Sequence, residues 1–251
     1  MDRDDDGVGC VHGTALVHAK SAARYPATMP LDVAFVTTGD RRQIPMADSD
    51  RERFDPTTTY TQLYTRYAAA IVGPDNVLVA RDRLVAGEVL RAWRQGRPLR
   101  HLYLIGHGDI AFAFAVGVQG RGDSASLQAG DRAMLTYPTR EGGRLTGGSS
   151  DFFREVGEGM APLPGLHRFD VRACYLSSRY LEGYAAALAH GAGPSLVEVT
   201  GYRDYYALIE RSNGAFRSEV QAERRDVRGQ WRTVSRSHGT QAPPPQLAFC
   251  V

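Results

Sequence analysis

The chain has 251 residues, 43% of them hydrophobic, which suits one large domain or two small ones and excludes disordered and fibrous proteins. Its 30 basic and 28 acidic side chains leave a formal net charge of +2, so the overall charge gives no support for nucleic-acid binding. The three cysteines, Cys10, Cys174 and Cys250, are odd in number and far apart. This excludes an intramolecular disulfide scaffold or a four-thiolate metal site and favours a reducing compartment.

The two ends of the chain are expected to lie outside the folded domain. Residues 1–6 are acidic where a secretory signal would be basic, and no stretch reaches the roughly eighteen apolar residues of a membrane span. We therefore expect a soluble protein without a membrane span, cytoplasmic or delivered to a host cytosol by a non-classical route. Residues 1–30 are predicted to be a leader or loosely attached segment, residues 31–240 one domain, and residues 241–251 a proline-rich tail along the surface.

From Leu31 onward, apolar residues recur alternately with the periods of strands and helices. Strands are predicted at Leu31–Val36, 76–80, Leu99–Ile105, 169–174 and 196–200. Helices are predicted at Tyr60–Val72, 84–93, 151–160 and 179–190, the third of them capped by Ser149 or Ser150. Strands separated by helices of this length form parallel sheets, so we expect an α/β fold with a mostly parallel sheet flanked by helices.

Two segments depart from this alternation. Residues 111–118 and 133–137 alternate in polarity around a tip rich in Gly, Ser, Asp and Arg, which predicts a hairpin carrying a mobile lid or processing loop. Residues 215–235 are expected to form a C-terminal antiparallel β-hairpin with a turn near Arg228 and Gly229.

Several common catalytic motifs are missing from the sequence. It contains no Gly-x-Ser-x-Gly, no His-Glu-x-x-His and no glycine-rich loop followed by lysine. These absences argue against a serine hydrolase with a nucleophile elbow, a zinc protease and a P-loop NTPase.

Two reactive side chains follow apolar strands. His107 comes just after Leu99–Ile105, next to Gly108, and Cys174 ends the strand predicted at 169–174. The carboxyl ends of parallel strands share one edge of the sheet, where ligands bind in open α/β folds. A cysteine and a histidine together there supply a nucleophile and a proton donor. Alone, each has a structural interpretation, as a buried thiol or a polar turn residue.

An apolar strand ending in His-Gly, followed by another ending in Ala-Cys, resembles the signature of the caspase-like (clan CD) cysteine peptidases. The toxin autoprocessing cysteine protease domains look nearest, on the runs 104–108, 145–147 and 229–231. The resemblance implies a caspase-like sheet and a cysteine endopeptidase, with cleavage of its own chain as one expected activity. Cys174 would be the nucleophile and His107 the general acid, and the backbone N–H groups of Gly108 and Cys174 would form the oxyanion hole. A third catalytic residue is not evident.

Two further residues are assigned to substrate binding. Arg172 lies two residues before Cys174 and so on the same strand face, where the resemblance implies a pocket for the substrate side chain before the scissile bond. A guanidinium there predicts cleavage after Asp or Glu; alternatively Arg172 pairs internally with an acid such as Glu198 or Asp204, and the pocket is apolar. Asp109 is assigned to the same site, with a loop-capping role as its alternative.

Expectations for cofactors and partners follow from the resemblance. The partner is a protein or peptide substrate, with no metal or cofactor required, and inositol hexakisphosphate is a candidate allosteric activator. Six arginines of the late hairpin could bind it or could instead protect a sheet edge: Arg217, Arg224, Arg225, Arg228, Arg232 and Arg236. Two alternatives remain open, an inactive caspase-like interaction module and a thiol-dependent acyl hydrolase or transferase.

Overall fold

The structure is a computed structural model. It describes residues 29–40, 58–108, 114–115, 134–136, 138–141, 144–147, 149–189, 196–210, 214–225, 231–238 and 247–250. The elements in chain order are β1 (Leu31–Val36), α1 (Tyr60–Val72), β2 (Val77–Val79), α2 (Arg83–Arg94), β3 (Leu99–Ile105), β4 (Phe114–Ala115), β5 (Met134–Leu135), β6 (Thr139–Glu141), β7 (Arg144–Thr146), α3 (Ser150–Met160), β8 (Leu166–Arg172), α4 (Ser178–Leu188), β9 (Leu196–Gly201), β10 (Tyr205–Glu210), β11 (Phe216–Arg225), β12 (Trp231–His238) and β13 (Leu247–Cys250).

Within the described residues, six strands form the main sheet in the order β13-β9-β8-β3-β1-β2. Five of them are parallel, and β13 pairs antiparallel with β9 at one edge. A second, antiparallel sheet has the order β10-β11-β12. The chain is therefore an α/β protein with a mostly parallel sheet flanked by helices and a C-terminal antiparallel hairpin, as the sequence predicts.

The two faces of the main sheet have different covers. On one face, α2, α3 and α4 pack on apolar side chains of β1, β3, β8 and β9, among them Phe35, Leu102 and Phe169. On the other, α1 packs on Ala34, Val36 and Ile105 together with a side chain from β11. Alternation along each strand sends successive residues to these two layers.

Local signals explain where the helices begin. Thr59 and Gln62 form a capping box at the start of α1, and the Asp82 side chain accepts the N–H of Leu84 at the start of α2. Ser149 is the N-cap of α3, but its side chain makes no capping bond and its hydroxyl is buried without a partner. The serine predicted to cap α3 therefore lies at the N-cap position but does not make the capping hydrogen bond.

The structure extends the predicted strands in two places. β10 was not expected and turns the late hairpin into a three-stranded sheet. Leu247–Cys250 do not run along the surface as a tail, because they pair with β9 in the main sheet.

Among the described helices, none is both long enough and apolar enough to cross a membrane.

The interrupting segments are described in part. The pairing of β4 with β5 confirms a hairpin between the two alternating runs, and β6 with β7 form a second, unpredicted one. The tip of the first hairpin, the turn of the late hairpin, the leader at 1–28 and residues 241–246 lie outside the described residues.

Candidate active site

The candidate site lies where three neighbouring strands of the main sheet end. Val36 of β1 is level with Ile105 of β3, which is level with Arg172 of β8. Beyond these positions the chain continues to Asp40, to His107 and to Cys174 respectively. The parallel sheet thus brings the ends of β1, β3 and β8 to one edge, as the sequence predicts for the cysteine and the histidine.

The backbone of His107 is held by Thr37 and Ala115. The His107 N–H donates to the Thr37 hydroxyl at 3.0 Å, and that hydroxyl donates to the Ala115 carbonyl at 2.6 Å. The Ala115 N–H in turn donates to the His107 carbonyl at 2.9 Å. Gly106 is needed beside this network because a Cβ there would overlap the Thr37 side chain.

The His107 ring has a contact at each nitrogen. Nε2 lies 2.6 Å from Oδ2 of Asp40, and Nδ1 lies 3.2 Å from the Tyr64 hydroxyl. The rings of Tyr60 and Tyr64 meet the imidazole edge to face, with centroids 5.3 and 5.2 Å away. An ionised carboxylate only accepts hydrogen bonds, so Asp40 selects the tautomer with hydrogen on Nε2. Nδ1 is then the basic nitrogen.

Asp40 contacts His107 and is the candidate for the third residue that was not evident in the sequence. Its side chain is 1% exposed, and its main chain exchanges hydrogen bonds with Thr61 in the first turn of α1. In the sequence, Asp40 resembles an ordinary turn residue because it follows Thr37, Thr38 and Gly39 after the predicted strand. Its position, just past the end of a strand adjacent to the one that carries His107, is the signal that could have identified it.

The Cys174 thiol is packed under the second sheet. Sγ donates to the Tyr206 carbonyl at 3.3 Å, and the side chain packs against Tyr202, Tyr206 and Val220. Burial raises the pKa of the Cys174 thiol to about 11. In this arrangement the thiol is protonated at neutral pH, so ionisation requires a base or a change in its surroundings.

Gly108 contacts the cysteine directly. A Cβ on Gly108 would overlap the carbonyl oxygen of Cys174, so only glycine allows this approach of the two backbones. The two residues assigned to the oxyanion hole are therefore neighbours in space, and this approach brings the segment of His107 next to that of Cys174.

Tyr175, immediately after the cysteine, adopts a conformation unusual for a residue with a side chain. Its φ is +53°, it is 50% exposed, and its N–H donates to the Asp204 carbonyl at 3.1 Å. The ring lies 6.1 Å, centroid to centroid, from that of Tyr205, which is 38% exposed. Positive φ at a non-glycine residue is enriched at functional sites. Sequence reasoning missed this pair.

Arg172 does not present a free charge to a substrate. It is 8% exposed, its Nε donates to Oδ2 of Asp170 at 2.8 Å and its Nη1 to the Tyr67 hydroxyl at 2.7 Å. Although burial lowers the pKa of Arg172, the charge of Asp170 raises it above its ordinary value. This pairing favours the alternative of an internally paired Arg172 over its assignment as selector of acidic side chains. The alternative of internal pairing holds with Asp170, not with Asp204 or with Glu198, which pairs with Arg168.

The remaining predicted residues have different outcomes. Asp109 and Arg228 lie outside the described residues. Arg224 and Arg225 lie on β11, and Arg232 and Arg236 lie on the neighbouring strand β12. Arg217 forms an ion pair with Glu219 on the same strand. Within the described part of the chain, no group of three or more potential metal ligands occurs.

The arrangement suits nucleophilic acyl transfer. It combines a thiol, an imidazole whose tautomer is set by a buried carboxylate, and close backbone packing beside the thiol. Comparison of the chain with protein-family models, curated protein sequences and solved structures finds no match, so these contacts are the basis for assigning a function.

Proposed function

We propose that the protein is a cysteine endopeptidase of caspase-like type that cleaves peptide bonds, those of its own chain among them. The observation that carries the proposal is the His107–Asp40 contact of 2.6 Å beside a strand end whose neighbour holds Cys174, with Gly108 packed on the cysteine backbone. A buried carboxylate that orients a histidine near a thiol has a clear chemical purpose in acyl transfer.

The reaction divides into two acyl transfers. Once the Tyr64 hydroxyl has moved from His107 Nδ1, that nitrogen accepts the thiol proton, and the thiolate of Cys174 attacks the scissile carbonyl carbon to form a tetrahedral oxyanion. The backbone N–H groups of Gly108 and Cys174 donate to that oxyanion. The imidazolium, stabilised by Asp40, returns its proton to the leaving nitrogen, and a thioester remains. Water, deprotonated by His107, then hydrolyses the thioester and restores the thiol.

The raised pKa of the thiol determines when ionisation occurs. With a pKa of about 11, Cys174 is not a standing thiolate near pH 7. Proton transfer to His107 must therefore accompany substrate binding, which moves the thiol from the Tyr206 carbonyl. A reducing cytosol, that of its own cell or of a host, keeps the thiol available for this step.

The surface next to the nucleophile favours an apolar substrate side chain. Arg172 is already paired with Asp170, whereas Tyr175 and Tyr205 expose aromatic rings beside Cys174. Apolar and aromatic contacts recognise apolar side chains through buried area. A positional-scanning peptide library should show a preference for leucine or an aromatic residue over aspartate, unchanged by Arg172→Lys.

Labelling with electrophilic probes tests the proposal. A peptide that carries a thiol-reactive warhead should modify Cys174, and the same warhead without the peptide should react poorly. Modification by simple acyl donors alone would identify an acyl hydrolase or transferase, and no modification by either would identify an inactive interaction module. Inositol hexakisphosphate added to the same reaction should raise the labelling rate if it is the activator.

Incubation of the native chain beside Cys174→Ala, followed by N-terminal sequencing of any fragments, tests self-cleavage. Fragments present only in the native sample support the peptidase and reveal its specificity. Equal fragments in both samples would reject it.

A further inference from the structure

We propose that Arg172 is a positioning residue for the nucleophile: through Tyr67 it anchors Tyr206, whose backbone carbonyl accepts the thiol hydrogen of Cys174. The residue two before the cysteine thus controls the reactivity of the thiol instead of the choice of substrate side chain. The inference rests on the proposed role of Cys174 as nucleophile.

The first step is the fixed position of the guanidinium. Asp170 accepts Arg172 Nε on Oδ2 at 2.8 Å and the Thr200 hydroxyl on Oδ1 at 2.9 Å. The guanidinium carbon lies 5.6 Å from the ring centroid of Tyr67 and 5.0 Å from that of Tyr103. Because the side chains of Arg172 and Asp170 are only 10% and 12% exposed, solvent competes little with these contacts. The arginine is rigidly held by β8, β9 and the tyrosines around it.

The second step connects the arginine to β10. Arg172 Nη1 donates to the Tyr67 hydroxyl at 2.7 Å, and the Tyr67 hydroxyl lies 3.2 Å from that of Tyr206. A guanidinium can only donate, so the Tyr67 oxygen accepts from Arg172, and the hydroxyl is held within hydrogen-bond distance of that of Tyr206, where either hydroxyl can donate. The ring of Tyr206 also packs on Tyr202, with centroids 4.7 Å apart. Tyr206 is 6% exposed and anchored at its far end.

The third step is the contact with the thiol. The carbonyl of Tyr206 accepts the Sγ hydrogen of Cys174 at 3.3 Å, so the residue anchored by its phenol covers the nucleophile with its backbone. Other titratable groups near the thiol come from different elements. Tyr64 of α1, whose pKa is raised well above 10 by burial, is coupled electrostatically to Cys174, and His107 follows β3. Release of Tyr206 would admit water to the thiol and reduce the burial that raises its pKa.

The test measures the rate of alkylation of Cys174 by iodoacetamide between pH 6 and 11, with mass spectrometry to confirm the site. Tyr67→Phe keeps the ring but removes the bridging hydroxyl. Arg172→Lys keeps the charge beside Asp170 but replaces the two nitrogens that reach Asp170 and Tyr67 with one. Each should accelerate alkylation at pH 8 by about fivefold or more and move the midpoint of the profile to lower pH, since about one pKa unit changes the thiolate fraction tenfold. The double variant should be alkylated only slightly faster than either single variant, because both substitutions interrupt the same series of contacts from Arg172 through Tyr67 to Tyr206.

Two controls separate this path from general loosening of the fold. Arg168→Lys changes an arginine on the same strand and face that is 55% exposed and paired with Glu198. Val171→Ala destabilises the same strand from the opposite face. Neither should shift the alkylation profile. Unchanged profiles in Tyr67→Phe and Arg172→Lys, or an equal acceleration in Val171→Ala, would overturn the proposal.

The alkylation experiment does not depend on peptide cleavage. A chain that cleaves nothing but shows the predicted profiles would reject the peptidase function and retain the positioning path. A chain that cleaves peptides while the alkylation profiles of all variants coincide would retain the peptidase function and reject the positioning role of Arg172.

Discussion

On one face of the main sheet, three helices cover phenylalanine, leucine and valine, whereas on the other face tyrosines, an ion pair and a thiol lie beneath α1 and the second sheet. Apolar packing on the first face is non-directional, and each fully buried large side chain contributes about 1.5–3 kcal/mol. Contacts on the second face are directional and depend on particular atoms at particular distances. Both faces therefore contribute stability through buried apolar area, and the second also carries the geometry of the candidate site.

Of all the predicted changes, removal of the proposed nucleophile should have the largest effect, and it should affect activity without affecting stability. Cys174→Ala should lower peptide cleavage by at least about 10³-fold, because the proposed mechanism needs the Cys174 thiol to form the thioester. The unfolding midpoint should stay close to that of the native chain, since the apolar face is untouched. Cleavage assays and urea titration measure the two quantities.

Cys250→Ala is the matched control for that variant, because Cys250 lies in β13, paired with Glu198 at an edge of the sheet. It should keep full activity. Cleavage by purified Cys174→Ala, or its failure to fold, would return the cysteine to a purely structural role.

The next effect should come from Asp40→Asn, which preserves shape but changes hydrogen-bond polarity. An amide that donates to Nε2 of His107 would move the ring hydrogen to Nδ1, and the histidine could no longer accept the thiol proton there. The kcat of cleavage should fall by about 10²- to 10⁴-fold with little change in KM. Asp32→Asn, near the opposite end of β1, should leave kcat unchanged. A similar loss in both variants would contradict an orienting role for Asp40.

The apolar face can be tested at Phe169, which lies among the rings of Phe152, Phe153 and Tyr184 at centroid distances of 5.9 to 6.4 Å. Phe169→Ala should reduce the free energy of unfolding by about 3–5 kcal/mol because it leaves a cavity in a rigid cluster. Urea denaturation gives this quantity. Leu166→Ala, on the same strand but 50% exposed, should cost less than about 1 kcal/mol. Comparable losses in both would show that the cluster does not carry the stability assigned to it.

The two faces also differ in how far the sequence predicts them. The helix at Tyr60–Val72 and the strands at Leu31–Val36 and Leu99–Ile105 have the predicted bounds, because apolar periodicity reports which residues face a hydrophobic layer. β10 was missed because its exposed Tyr205 and Ile209 break the alternation that marks a half-buried strand. β13 was missed because only four residues pair, after a proline-rich segment.

The candidate site was predictable only where topology alone places residues. His107 and Cys174 follow apolar strands, and parallel strands end at one edge, so their proximity needed no knowledge of side-chain packing. The partner of Arg172 depended on which acid lay within hydrogen-bond reach. That acid is Asp170, two residues earlier on the same strand, and sequence periodicity does not report such a side-chain contact. The role of Asp40 likewise required the three-dimensional path after β1.

The smallest expected effect concerns the pH dependence of the polar face at the opposite ends of the strands. Asp32 accepts Arg100 Nε at 2.9 Å and Nη2 at 2.7 Å, and His101 Nδ1 lies 3.4 Å away. Burial alone would raise the pKa of Asp32, but hydrogen bonds from His101 and Arg100 outweigh it and lower the pKa from 3.8 to about 2. A depressed folded-state pKa gives stability that is present above pH 3.8 and is lost as the pH falls toward 2. Since the carboxylate is 25% exposed, its share should be about 1–2 kcal/mol. Urea titrations at pH 5 and at pH 2.5 should therefore show a steeper loss of stability in the native chain than in Asp32→Asn. If the free energy of unfolding falls equally in both proteins between pH 5 and pH 2.5, the hydrogen bonds to Asp32 do not stabilise the folded state. The stability of the polar face would then depend on its buried contacts alone.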